Sequence, residues 1–234
     1  MTEQFVSLLQ GPLFILPLNV AAFLFGLQLY RRSGTALLHP IVGASALVAA
    51  VLWSLDIDYT DYQDASGLLY ALLGPAVVAL AIPLKQNLGI IRRAGWPLAV
   101  TLVVGAVLAP VVAIVIALLA GAARPVLLAL AGKAVTTPIA LAVADKIHAA
   151  QSLTVGIVVF SGVVAAVLGP ALLRWLGIED HRILGFALGI NAHAIGTARA
   201  LEISALCGAF AALAMGLCGA LTALALPLLT GAGA

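Results

Sequence analysis

Charge is what this sequence has least of. Only 9% of its 234 residues are Asp, Glu, Lys or Arg, while 64% are hydrophobic and the mean hydropathy is +1.20. Soluble domains carry about 25% charged residues. A chain this poor in charge cannot clothe a globule in polar groups, so it reads as an integral membrane protein. The net charge is +2 and no run of Lys or Arg exceeds two, which leaves no electrostatic footprint for nucleic acid. There are two cysteines, Cys207 and Cys218, inside one apolar run. They offer neither a disulfide framework nor metal-ligand spacing, and they read as small buried hydrophobes. There is no HExxH, no phosphate loop, and no Ser or Cys nucleophile at motif spacing from His193. No enzyme and no resident cofactor are therefore expected; proton or sodium coupling is the most the composition asks for. Glu3 and the lack of a basic leading segment argue against a cleavable signal peptide.

Uncharged runs fill the space that charge vacates. They cover Gln4–Tyr30, Ser33–Leu55, Ala65–Leu84, Ala94–Ala123, Ile147–Leu173 and Ile203–Ala234. Each is long enough for a helix crossing, which needs about 20 apolar residues. Helix-length spacing argues for an all-α bundle and against a barrel, whose strands are about 10 residues long with alternating polarity. The full spans are read as Gly11–Tyr30, Leu37–Leu55, Gly67–Leu84, Trp96–Leu119, Ser152–Arg174 and Ile203–Leu229. The acidic stretch Asp56–Asp64 reads as a solvated loop.

Two segments resist this pattern. Gly132-Lys133-Ala134-Val135-Thr136-Thr137-Pro138 divides 125–144, and Asn191 and His193 divide 183–198. A Lys or Arg at membrane depth costs roughly 2.5–3.5 kcal/mol on insertion scales. Broken backbone there is tolerated only inside protein or beside water. Each segment reads either as a crossing or as a re-entrant hairpin. Basic residues collect in cytoplasmic loops. With Lys133 and Arg199 set aside, hairpins place seven basic residues inside and two outside, against six and three for crossings. The expected architecture is a polytopic helical membrane protein with about six full spans and two re-entrant or broken-helix segments. It is one domain over 1–234, with scaffold spans mainly in 11–119 and a site-forming half in 125–230. Inverted repeats with interrupted helices near the midplane characterise secondary transporters. The N-terminus, Asp56–Asp64 and the C-terminus are expected outside, and Lys85–Arg93 and Arg174–Arg182 in the cytoplasm.

The chemistry concentrates in the two interrupted segments. Lys133, Thr136 and Thr137 offer one cation and two hydroxyls. Pro138 suits the first turn of a new helix, whose N–H groups and dipole favour an anion. The alternative is that Lys133 pairs with a carboxylate and only holds the bundle together. Asn191, His193, Thr197, Arg199 and Glu202 form the second cluster. Arg199 is read either as a clamp for a carboxylate or as the partner of Glu202. His193 is either a proton carrier or an imidazole held by a backbone carbonyl. Candidate substrate-binding residues are thus Lys133, Thr136, Thr137, Asn191, His193, Thr197 and Arg199. Candidate ion-coupling residues are His193, Glu202 and Asp145, although Asp145 and Lys146 also read as a loop-end pair. Gly208, Gly216 and Gly219 motivate the expectation of a homodimer or larger assembly.

Three stretches carry a resemblance. Gly132-Lys133-Ala134-Val135-Thr136-Thr137-Pro138-Ile139-Ala140, Ala192-His193-Ala194-Ile195-Gly196-Thr197-Ala198-Arg199-Ala200 and Leu73–Leu84 closely resemble signature segments of the LrgB/CidB family. The chain departs from that pattern at Ala134, Val77 and Asn191, which changes its hydroxyl count. The resemblance implies a bacterial inner-membrane protein, often encoded with a small four-span LrgA/CidA-type partner. It implies either an antiholin-like regulator of murein hydrolase activity and lysis, or a carboxylate carrier like the plastid glycolate/glycerate translocator and some bacterial pyruvate-uptake pairs. A cationic site at the midplane fits secondary transport of small monocarboxylates (glycolate, glycerate, pyruvate or lactate) better than a lytic pore.

Overall fold

The computed structural model describes residues 9–33, 38–79 and 81–229, and every regular element among them is a helix. The chain forms two compact units, Met1–Ala79 and Leu80–Ala234.

The first unit contains α1 (Pro12–Ser33), α2 (Pro40–Ser54), α3 (Tyr59–Ala65) and α4 (Gly67–Ala79). Helix α1 ends on Arg31 and Arg32, whose charge complements the helix dipole. It packs on α2 through Gly26, where a Cβ would lie 3.2 Å from both the Pro40 carbonyl and the Ala44 nitrogen. Pro40 opens α2, and the His39 ring accepts from the Ile41 N–H at 3.4 Å. The Tyr62 hydroxyl donates to Asn19 at 2.8 Å and ties α3 to α1. The acidic stretch is therefore not a loop throughout: Tyr59–Ala65 is helical. Asp58 sits at its N-cap and Asp61 in its first turn, where the helix dipole favours negative charge.

The second unit contains α5 (Ala81–Gln86), α6 (Leu88–Leu119), α7 (Arg124–Ala131), α8 (Thr137–Lys146), α9 (Gln151–Trp175), α10 (His181–Ile203) and α11 (Ala205–Leu229). Gly95, at φ 58°, bends α6 just before Trp96. Ile91, Leu102 and Ala106 of α6, Phe186 and Ile190 of α10, and Phe210, Ala214 and Cys218 of α11 share one core with Ala134. Cys207 and Cys218 are free and buried, as the sequence suggests.

Among the described residues, four helices are long and apolar enough to cross a membrane: Pro12–Ser33, Leu88–Leu119, Gln151–Trp175 and Ala205–Ala225. The expected second span is a helix of 15 residues, about 22 Å long at 1.5 Å per residue and short of a hydrocarbon core of about 30 Å. The expected third span is covered by α4 and α5, with position 80 outside the described residues. The last begins at Ala205 rather than Ile203, because Ser204 is extended at φ −168°.

Both interrupted segments fold back on themselves. A Cβ at Gly132 would lie 3.6 Å from the Ala140 Cβ. Eight residues along a straight helix would separate these positions by about 12 Å. Thus α7 and α8 are the arms of one hairpin, joined through 132–136. The other segment is helical on either side of His193, which stands at φ 41°, ψ −125°. A Cβ at Gly196 would run into the Leu188 carbonyl, so α10 is itself a hairpin whose tip is His193. Its ends meet: His181 Nδ1 and the Ser204 hydroxyl are 2.8 Å apart.

The bases of the two hairpins join opposite ends of α9. Residues 147–150 link α8 to its start and 176–180 link its end to α10. Helix α9 has 25 residues, about 37 Å at 1.5 Å per residue. The hairpins therefore approach from opposite ends of this helix.

Candidate functional site

The two tips converge on α9 between Val158 and Gly162, near its middle. His193 Nε2 lies 3.1 Å from the Val158 carbonyl. A carbonyl only accepts, so the imidazole carries its proton on Nε2. The ring seats against Gly162, where a Cβ would come within 2.6 Å of the His193 Cε1. Any larger residue there would force the ring to shift. The Ser161 hydroxyl donates to Val158 at 3.1 Å and has the Lys133 carbonyl at 3.5 Å. Ser161 thus stands between the two tips, bonded to Val158 and with the Lys133 carbonyl at longer range. A non-glycine residue in the left-handed region costs on the order of 1–3 kcal/mol and persists only where its surroundings hold it. The carbonyl contact and the glycine seat hold His193.

On the first tip, Thr136 caps α8 in extended geometry without a side-chain cap bond, and Pro138 lies in the first turn. The initial N–H groups of α8 and the partly exposed Lys133, Thr136 and Thr137 are therefore at one tip. Among the described residues the ion pairs are Arg182–Asp180 and Arg199–Glu202, and Lys133 takes part in neither. The reading in which Lys133 pairs with a buried acid finds no support there. The Cys218 thiol contacts the Ala134 carbonyl at 3.6 Å, which holds this tip against α11.

On the second tip, Thr197 is buried. Its hydroxyl donates to the His193 carbonyl at 2.8 Å and approaches Met215 Sδ at 3.6 Å. That geometry closes the turn after His193. The Asn191 amide donates back to the Ala187 carbonyl at 3.0 Å. Asn191 also lines a groove of about 460 Å³ between α6 and the first arm of α10, with Asp180 and Arg182 lining it at the hairpin base. The groove was not legible in the sequence, because it needs α6 laid beside α10.

Not every candidate residue reaches the tips. Arg199 lies six residues past His193 and binds Glu202 at 2.6 Å, with side chains 17% and 46% exposed. The closed pair is the arrangement that forms, and it sits toward the base of the hairpin. Asp145 and Lys146 end α8 at its base and are exposed. Asp180 caps α10 through the Arg182 N–H and grips the Arg182 guanidinium with both oxygens, at 3.0 Å from Nε. That hydrogen bonding holds the Asp180 carboxyl down at about 2. Sequence reasoning passed over Ser161 and Gly162, because a serine beside a glycine in an apolar run carries no signal of its own.

Two glycines set the second hairpin against α11. At Gly185 and Gly189 a Cβ would strike the Cys207 and Ala211 carbonyls. Of the glycines expected to serve an oligomer interface, Gly208 packs on Leu201 and Gly219 on Ile139 within the chain. Gly216 alone of the three meets nothing within 4 Å.

Residues 19–231 match the model of the LrgB-like family. The chain is 35% identical over 192 residues to the uncharacterized protein YxaC of Bacillus subtilis (strain 168), covering 82% of this chain and 84% of that one. It is 28% identical over 204 residues to the antiholin-like protein LrgB of Bacillus mycoides (strain KBAB4), covering 87% and 89%. An uncharacterized protein of Haemophilus influenzae is 28% identical over 196 residues, covering 84% and 85%. No solved structure matches the chain.

Proposed function

This chain belongs to the LrgB-like family, and from that premise we propose that it is a secondary transporter of small monocarboxylates across the bacterial inner membrane. The substrate class is glycolate, glycerate, pyruvate or lactate. The observation that carries the reading is the meeting of two hairpin tips, from opposite ends of α9, with Lys133 in neither ion pair. A cation at membrane depth is costly and marks a substrate or ion path by default. Lys133 supplies the charge for the carboxylate, helped by the N–H groups at the start of α8. Thr136, Thr137 and Asn191 are placed to read a hydroxyl or keto oxygen, and Thr197 supports the turn. The groove beside Asn191 provides access from the Arg182 end. Alternating access then follows from movement of the hairpins around the shared site.

An anion entering against a negative interior needs a driving ion. His193 is the titratable side chain at the second tip, and so the candidate proton carrier there. Glu202 and Asp145 stand toward the hairpin bases, where a proton enters or leaves. Arg199 serves the hairpin through Glu202 and not the substrate. Reconstituted vesicles loaded with unlabelled carboxylate and offered the labelled form test the reading, with and without an LrgA/CidA-type partner. Counterflow that saturates supports it; absence of binding and counterflow in both preparations overturns it.

The second reading is an antiholin-like regulator acting with that partner, and its support is the antiholin-like name of relatives such as the Bacillus mycoides protein. Under it, Lys133 variants change lysis without any change in carboxylate flux.

A further inference from the structure

The groove between α6 and the first arm of α10 has a closed end and an open one. At the closed end the Ile190 side chain lies against Gly105, where a Cβ would come within 2.7 Å of it. From there the lining runs back to Ala94 on α6 and to Arg182 and Asp180 on α10, so both helices begin at the open end. Arg182 to Asn191 covers about 14 Å of helix. Half of a bilayer's hydrocarbon core is about 15 Å. The groove therefore has the length of one leaflet. Between its ends the walls are apolar, with Leu98, Val104, Phe186 and Ile190 among them. Thr101 also lines it, but its hydroxyl is spent on the Pro97 carbonyl at 2.8 Å.

The open end carries the marks of the membrane surface. Trp96 and Trp175 stand there, 75% and 80% exposed, and tryptophan gathers where bilayer meets water. Arg92 and Arg93, both exposed, directly precede the lining residue Ala94, and Arg174 lies in the last turn of α9 at the same end. With Arg182 they face Glu179 and Asp180, and Asp180 is already held by Arg182. The rim is therefore cationic. We propose that the groove holds one acyl chain of an anionic phospholipid from this leaflet, with the phosphate on the arginine rim. Basic pockets between membrane helices bind such headgroups. The apolar walls match the chain, and the closed end at Gly105 stops it at the depth of one leaflet. A chain in the groove and a carboxylate entering by it compete for the same space. That consequence rests on the function proposed above, whereas the lipid site does not.

Native mass spectrometry of the full chain tests this without carboxylate. The protein is released from micelles doped with phosphatidylglycerol or with phosphatidylcholine of the same acyl chains. One phosphatidylglycerol per chain is expected to stay bound, about fivefold more tightly than phosphatidylcholine, which is the factor that one arginine near the surface contributes toward an anionic lipid. Thr101→Trp, at an exposed position on the groove wall, fills the groove and should abolish retention of both lipids. Arg92→Gln combined with Arg93→Gln leaves the groove open and should bring the two lipids to parity. Equal retention of both lipids by the parent, or undiminished retention by Thr101→Trp, overturns the proposal. So does a dimeric mass with no lipid bound, which would put a second copy of the chain in the groove. Retention as expected, with no carboxylate counterflow in vesicles of either lipid, would overturn the transport reading alone.

Discussion

His181 and Ser204 are 23 residues apart in sequence and 2.8 Å apart in space, ring nitrogen to hydroxyl. Between them lie two helical arms broken at His193, at φ 41° and ψ −125°. A straight helix of that length would hold them about 34 Å apart. The contact therefore fixes α10 as a hairpin, with both ends on one side and His193 at the far turn. This places His193 beside α9, and it places Arg199 and Glu202 back toward the base.

Lys133→Met should abolish carboxylate binding and counterflow while raising the melting temperature. Removing a cation that pairs with no described carboxylate relieves a cost of roughly 2.5–3.5 kcal/mol on insertion scales. Lys133→Arg should recover little transport, because a planar fork does not replace a point charge. Equal binding by parent and Lys133→Met would mean that the site lies elsewhere.

The Arg199–Glu202 pair should behave as structure. A double-mutant cycle with Arg199→Ala and Glu202→Ala in detergent should give a coupling of about 0.3–1 kcal/mol, typical of partly exposed pairs. The double variant should retain at least half of the parent's counterflow rate. A hundredfold loss of binding with Arg199→Ala would return Arg199 to the substrate site.

The cap at Asp180 should give way in acid. Its carboxyl is held at about 2 by hydrogen bonds from Arg182, below the usual value of about 3.9. A depressed carboxylate contributes stability above its unfolded value and loses it as pH falls toward the folded one. Amide protection in the first turn of α10 should be flat from pH 7 to 5 and should fall between about pH 4 and 2. Asp180→Ala, which removes the cap acceptor, should show the reduced protection at every pH. A parent profile that is flat down to pH 2 would count against the cap.

Gly189→Ala should destabilise the protein by about 1–3 kcal/mol, the usual range for overpacking, because its Cβ would strike the Ala211 carbonyl. Gly216→Ala should melt a few degrees above the parent in dilute detergent, since nothing lies within 4 Å of its Cβ position and Ala is favoured over Gly inside a helix by about 0.5–1 kcal/mol. A Gly189→Ala variant as stable as the parent would show that α10 and α11 are not packed this closely.

Topology is open to a labelling test. Glu179→Cys should react with a membrane-impermeant maleimide only from the cytoplasmic face, and Ala150→Cys only from the periplasmic face. The native Cys207 and Cys218 are buried and should stay silent. The reversed pattern, Glu179→Cys labelled only from the periplasmic face and Ala150→Cys only from the cytoplasmic face, would replace the hairpins with crossings.

Much of this protein is written in its composition. Poverty of charge and helix-length apolar runs determine a helical membrane protein, because hydrocarbon leaves the backbone few other ways to satisfy its hydrogen bonds. Lys133, Pro138, Asn191 and His193 mark two interruptions for the same reason, since each is expensive or disruptive inside a span. Membership of the family is legible in those same stretches. What the sequence left open depends on contacts between residues far apart in the chain. Whether Arg199 meets Glu202 was undecided by spacing, since i,i+3 placement permits the pair without requiring it; the folded hairpin pairs them at 2.6 Å. Ser161 and Gly162 gave no sign of their place, because an apolar helix with small residues looks alike on every face. They became a seat only when two segments, 28 and 35 residues distant by their hydrogen bonds, folded back onto α9. Local chemistry says where a chain must break, whereas only the packed structure says what the broken ends meet.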